Sequence, residues 1–162
     1  MSEIETVARQ LLEAYDQEVE LVQMWQQNLK HQQQVIQASA WDELNNLIAE
    51  AATWRERLTR VRQATRQLEK LLVIVSGCEG LEWERVELLP LATRRELAGA
   101  SRQVRALWEE CRHLQEANIK NMQQAIATTR AELEQVQTAR QMARAYRREN
   151  KTTVPRCLDR RL

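Results

Sequence analysis

The chain has 162 residues, 43% hydrophobic and 29% charged, with no Phe, 3 Gly and 2 Pro. So few backbone breakers, in a composition led by Glu, Gln, Arg, Ala and Leu, point to one domain of long helices joined by coiled-coil seams rather than a broad globular core. A formal net charge of +1 gives no overall reason to expect nucleic acid or a membrane, and the longest apolar run, Leu71 to Val75, is far short of the ~20 residues of a membrane span.

The first segment, MSEIETVARQ, is acidic and amphipathic, without the basic start and apolar stretch of a signal peptide, so a cytoplasmic location is expected. Ser2 with Glu5 forms a capping box for a first helix over about 3–38. Ile4, Val7, Leu11, Ala14, Leu21 and Trp25 follow steps of three and four, and Leu29, Val35 and Ile36 extend that face. Near Ser39 the pattern breaks, and Ser39 is the predicted cap of a second helix over about 42–76, with Asp42 in its first turn. Leu44, Leu47, Ala51, Trp54, Leu58, Val61, Thr65, Leu68, Leu72 and Val75 alternate steps of three and four, a sustained heptad seam. Gly77 stands at the C-terminal cap. The short link implies an antiparallel hairpin.

Gly80 and Pro90 bracket LEWERVELL, read as a short helix over 81–89 packing Leu81, Val86 and Leu89 on the hairpin. A second capping box, Thr93 with Glu96, predicts a third helix over about 94–148. Its first seam is Leu97, Ala100, Val104, Leu107, Cys111 and Leu114. A second is Met122, Ile126, Thr129, Leu133, Val136 and Ala143. Between them Asn118 creates a stutter that locally unwinds a left-handed supercoil. The two earlier helices are too short to cover the third along its length, so part of the second seam is expected to be exposed or covered by another copy. Trp25, Trp41, Trp54 and Trp108 are read as core and the linker residue Trp83 as open to solvent. The expected architecture is all-α: an elongated antiparallel hairpin plus a long third helix, in one domain over 1–146.

Residues 1–36 hold six acidic and two basic side chains, and residues 140–162 hold eight basic and two acidic. The tail over 147–162 has little to bury and is expected to be mobile. Its arginines have no interleaved aromatics, so nucleic acid is not expected. Cys78, Cys111 and Cys157 are odd in number and far apart, which supports neither disulfides nor zinc. His31 and His113 lack a second ligand at helical spacing, and the glycines form no phosphate loop. Neither an enzyme, a metal, a cofactor nor a small-molecule substrate is expected. Asn118 and Asn121 read equally as seam residues that set register and as partner contacts.

A hairpin carrying VIQASAWDELNNLIAEAATWRERLTRVRQ is followed by a variable stretch and a long last helix. That helix bears Asn118 and Asn121 in EANIKNMQQAI and then Tyr146 in ARAYRRENK. In this order and over most of its length the chain resembles the FlgN family of flagellar type III export chaperones. It departs at Trp54, where Lys is usual, and at Asn150, where Gly is usual. The resemblance implies a cytosolic chaperone that binds C-terminal helices of flagellar hook-associated (hook-filament junction) proteins, prevents premature assembly and delivers them to the export gate. It assigns substrate binding to Asn118, Asn121, Met122, Ile126, Leu133 and Val136, and docking on the cytoplasmic domain of an export-gate membrane protein to Tyr146. The rival reading is a structural homo-oligomeric coiled-coil spacer or adaptor.

Overall fold

Ser2 and Glu5 do form the capping box. The Ser2 hydroxyl accepts from the Glu5 N–H at 3.4 Å and a Glu5 carboxylate oxygen accepts from the Ser2 N–H at 2.9 Å. Two orphan amides of the first turn are thereby satisfied, and α1 runs over Glu3–Gln37. The structure is a computed structural model that describes residues 2–152 except Glu79 and Leu81, with the backbone alone at 150–152. Helix α2 spans Trp41–Ser76, a single 3-10 turn spans Trp83–Arg85, and α3 spans Leu91–Thr152. No strand occurs among the described residues, and the fold is all-α.

The α1–α2 link is a Schellman turn. The Ser39 N–H donates to the Ile36 carbonyl and the Ala40 N–H to the Val35 carbonyl, both at 3.1 Å, which satisfies carbonyls that α1 leaves free. The turn holds Ser39 at φ 55, in the left-handed region. Ser39 therefore closes α1 instead of capping α2, whose N-cap is Ala40 with no side-chain hydrogen bond. Gly77, at φ 65, ends α2 as expected.

Two further boundaries differ from the sequence reading. Between α2 and α3 the described residues 82–89 form no α-helix; the 3-10 turn is followed by a turn in which the Leu89 N–H donates to the Val86 carbonyl at 3.0 Å. Helix α3 begins at Leu91, two residues before Thr93, with the Arg94 N–H donating to the Pro90 carbonyl at 3.0 Å. Pro90 has no N–H to leave unsatisfied and supplies the first carbonyl, so the Thr93 box is not needed and Thr93 lies inside the first turn.

By packing, the chain divides between Asn121 and Met122 into two units. The first comprises α1, α2, the linker and α3 up to Asn121. In it α2 runs antiparallel to α1, since Tyr15 bonds Glu69 at 2.7 Å whereas Asn28 bonds the Leu47 carbonyl at 3.1 Å. Helix α3 runs parallel to α1 at a constant offset of 89 residues, set by Cys111 against Val22 and Asn118 against Leu29.

Two apolar layers hold this unit. One joins Leu11 and Tyr15 of α1, Leu72 of α2 and Leu97 of α3 with Trp83, Val86 and Leu89 of the linker. The other joins Val22, Leu29, Leu58 and Cys111. Removing a side chain such as Leu72 or Leu97 wholly from water contributes roughly 1.5–3 kcal/mol each. The α2 seam is buried or half-buried from Leu44 to Leu72, and Val75 at its end is exposed.

The tryptophans are a correction. Trp83 is 1% exposed and Trp41 is 40% exposed, the reverse of their expected places. Trp83 inserts into the layer at the start of α1 and its indole N–H donates to the Tyr15 hydroxyl at 3.3 Å, so this linker residue is core. The second unit, in its described part, is the remainder of α3. Leu81, Cys157 and the arginines at 156, 160 and 161 lie outside the described residues.

Candidate functional site

The sequence-predicted site residues fall into two environments. Asn118 is buried and donates through Nδ2 to the Leu29 carbonyl at 2.9 Å. It therefore ties α3 to α1 at one register, as polar residues in a seam do. Asn121 and Met122 are half-buried. In the second unit every residue from Ile126 to Glu149 is exposed. Ile126, Leu133 and Val136 are 48, 57 and 47% exposed. They lie with Met122 and Thr129 at steps of four, three, four and three, so they share one helix face. That is the spacing of the buried seams, here left exposed from Ile126 onward by the described residues. Met142 and Tyr146 are also exposed.

Inside the first unit the sequence reading missed a polar and aromatic assembly. Glu18 is 2% exposed and one carboxylate oxygen accepts from the Trp108 indole N–H at 2.6 Å. Its other oxygen meets no protein donor. Trp108 stands edge-on to Trp25 with centroids 5.5 Å apart, and the Arg62 guanidinium lies 4.2 Å from the Trp108 ring centre. These groups come from α1, α2 and α3. They form the floor of a cleft of about 660 Å³ that also takes in Arg66, Glu69 and Arg105. A second cleft of about 750 Å³ adjoins it along α2, sharing Trp25, Arg62, Arg66 and Trp108 and adding Arg55, Leu58 and Lys70. The signal available in the sequence was spacing: Tyr15, Glu18, Val22, Trp25, Leu29 and Gln32 follow steps of three and four along α1. A search for apolar positions alone skips Glu18 and Gln32, which are buried.

Burial raises the ionisation of the Tyr15 phenol above its ordinary range, helped by its hydrogen bond to the Glu69 carboxylate and the charge there. Burial, then the charge of Glu110, pushes the Cys111 thiol up to about 11. A thiol so held is inert at neutral pH. At the surface the Arg112 guanidinium, bonded to Glu109, lowers the Glu109 carboxyl.

No group of three or more His, Cys, Asp or Glu side chains among the described residues is placed to hold a metal ion. Within the same residues no helix is long and apolar enough to cross a membrane. What the geometry offers is binding surface: an uncovered heptad strip in the second unit and a basic cleft floored by indoles in the first. Neither a family model, a curated protein nor a solved structure matches the chain.

Proposed function

We propose that the protein is a cytoplasmic export chaperone for flagellar hook-associated proteins, acting by binding and not by catalysis. One observation carries this reading: the strip that starts at the half-buried Met122 keeps coiled-coil spacing, and its residues Ile126, Leu133 and Val136 are left exposed by the described residues. An apolar stripe on a lone helix exposes surface that a second amphipathic helix buries favourably. The family resemblance identifies that helix as the C-terminal segment of a hook-associated protein. Covering the strip would keep the segment from assembling early. Tyr146, 71% exposed, is the proposed contact with the cytoplasmic domain of the export-gate membrane protein.

The same uncovered spacing supports a second reading, a homo-oligomeric coiled-coil adaptor in which another copy occupies the strip. Titration calorimetry of the protein with a peptide of the hook-associated segment, alongside light scattering of the protein alone, distinguishes the two. The chaperone reading expects a one-to-one complex that is abolished by Ile126→Ser with Leu133→Ser while helicity is kept. Unchanged affinity in that folded variant refutes it, and a stable oligomer that the peptide does not dissociate favours the adaptor.

A further inference from the structure

The clefts along α2 and α3 have a chemistry distinct from the strip. Their floor is apolar and aromatic: Trp25 from α1, Leu58 from α2, and Trp108 from α3. One wall is a basic row on α2, Arg55, Arg62, Arg66 and Lys70, at steps of seven, four and four, hence on one helix face. The other wall carries Arg105 and Arg112 of α3, one heptad apart. The acidic groups nearby are already engaged. Glu18 accepts from Trp108, Glu69 from Tyr15, and Glu109 pairs with Arg112. The lining of the two clefts thus carries six basic side chains against three carboxylates, a net positive charge, with Arg55, Arg66 and Lys70 on one side and Arg105 on the other free of ion pairs among the described residues.

We propose that the cleft between α2 and α3 receives an acidic amphipathic helix of a partner protein. Such a helix lays its apolar face on the two half-buried indoles and sets its carboxylates against the two basic rows. A fourth helix seated between two helices and above a third completes a four-helix arrangement. The α2 row, from Arg55 to Lys70, is about 22 Å long, or roughly four turns of the incoming helix.

A second copy of the chain does not match this chemistry. The acidic helix α1 has its apolar face buried in its own unit. The exposed helix over 122–149 offers an apolar face but carries five basic and three acidic side chains, which the basic rows repel. A nucleic acid would meet the same basic rows, so competition by an oligothymidylate is one outcome of the test.

The test uses the full chain and a fluorescent, end-blocked peptide of about 18 residues with Leu at steps of three and four and Glu on both flanks, long enough to fill four to five turns. Controls replace every Glu by Lys, or insert two prolines. Fluorescence anisotropy is expected to show binding of the Glu peptide alone, weakening steeply between low and moderate salt. Arg55→Glu with Arg66→Glu changes two exposed, unpaired side chains, so circular dichroism should be unaltered while affinity falls about tenfold or more. Ile126→Ser with Leu133→Ser should leave this affinity unchanged, which separates the cleft from the strip and from the function proposed for it. Failure of the Glu peptide to bind, equal binding of the Lys peptide, or indifference to the charge reversal overturns the proposal. Loss of binding in the strip variant, or equal competition by an oligothymidylate, does so too.

Discussion

Replacing Trp108 by Phe isolates the one buried carboxylate whose hydrogen bonding depends on a single distant residue. Among the described residues the indole N–H of Trp108 is the sole donor to Glu18, at 2.6 Å, and the second oxygen of Glu18 already meets none. Phe keeps most of the ring but removes the N–H, leaving both oxygens unpaired on a side chain that is 2% exposed. Orphaning a buried charged acceptor costs about 1.5–3 kcal/mol. Weakening the stacking of Arg62 on the indole adds about 0.5–1 kcal/mol, so Trp108→Phe should lose roughly 2–4 kcal/mol. Glu18→Met in the same background removes the acceptor as well, and most of the loss should be recovered. Urea unfolding of the parent, the two single variants and the double variant forms a thermodynamic cycle whose coupling should be about 1.5–3 kcal/mol. A coupling below about 0.5 kcal/mol would mean that the Glu18 carboxylate is satisfied without Trp108, and the account of this assembly would fail.

Leu58→Asp puts an unpaired carboxylate at a position 3% exposed and should unfold the first unit at a cost of several kcal/mol, whereas Tyr146→Ala should stay within about 0.5 kcal/mol of the parent; equal losses of melting temperature would overturn that division. Trp83→Ala should cost about 3–5 kcal/mol in urea unfolding despite its place in the linker, and a loss under about 1 kcal/mol would show that the linker does not hold α1. The Cys111 thiol is raised from 9.0 to about 11, so between those values the folded state keeps a proton that the unfolded chain has released. Its contribution is fully present below pH 9 and is lost as pH rises towards 11. The Cys111→Ala variant should therefore show a shallower alkaline fall in urea midpoint than the parent, with the remaining fall in both attributable in part to Tyr15; identical slopes would refute this.

The sequence by itself determined the helices and which stripe of each is apolar, because 3.6-residue periodicity is a local property of the chain. Glu3–Gln37 and Trp41–Ser76 begin and end within a residue of the reading, and Cys111 is buried as its seam position requires. Capping was less legible, because several local chemistries compete to satisfy the same amides and carbonyls. Ser39 closes a Schellman turn instead of capping α2, and Pro90 starts α3 before the Thr93 box.

Tertiary packing alone decided which partners the apolar stripes meet. Trp83 is buried because the linker folds back over the start of α1, a contact across 68 residues. Glu18 is interior because Trp108, 90 residues on, offers it a donor; hydropathy cannot see a polar side chain whose burial is compensated by a distant hydrogen bond. The cleft with its indole floor likewise exists only once Trp25, Arg62 and Trp108 from three helices converge. Periodicity states which face of a helix seeks cover, whereas the identity of the cover is set by the relative register of helices far apart in the chain.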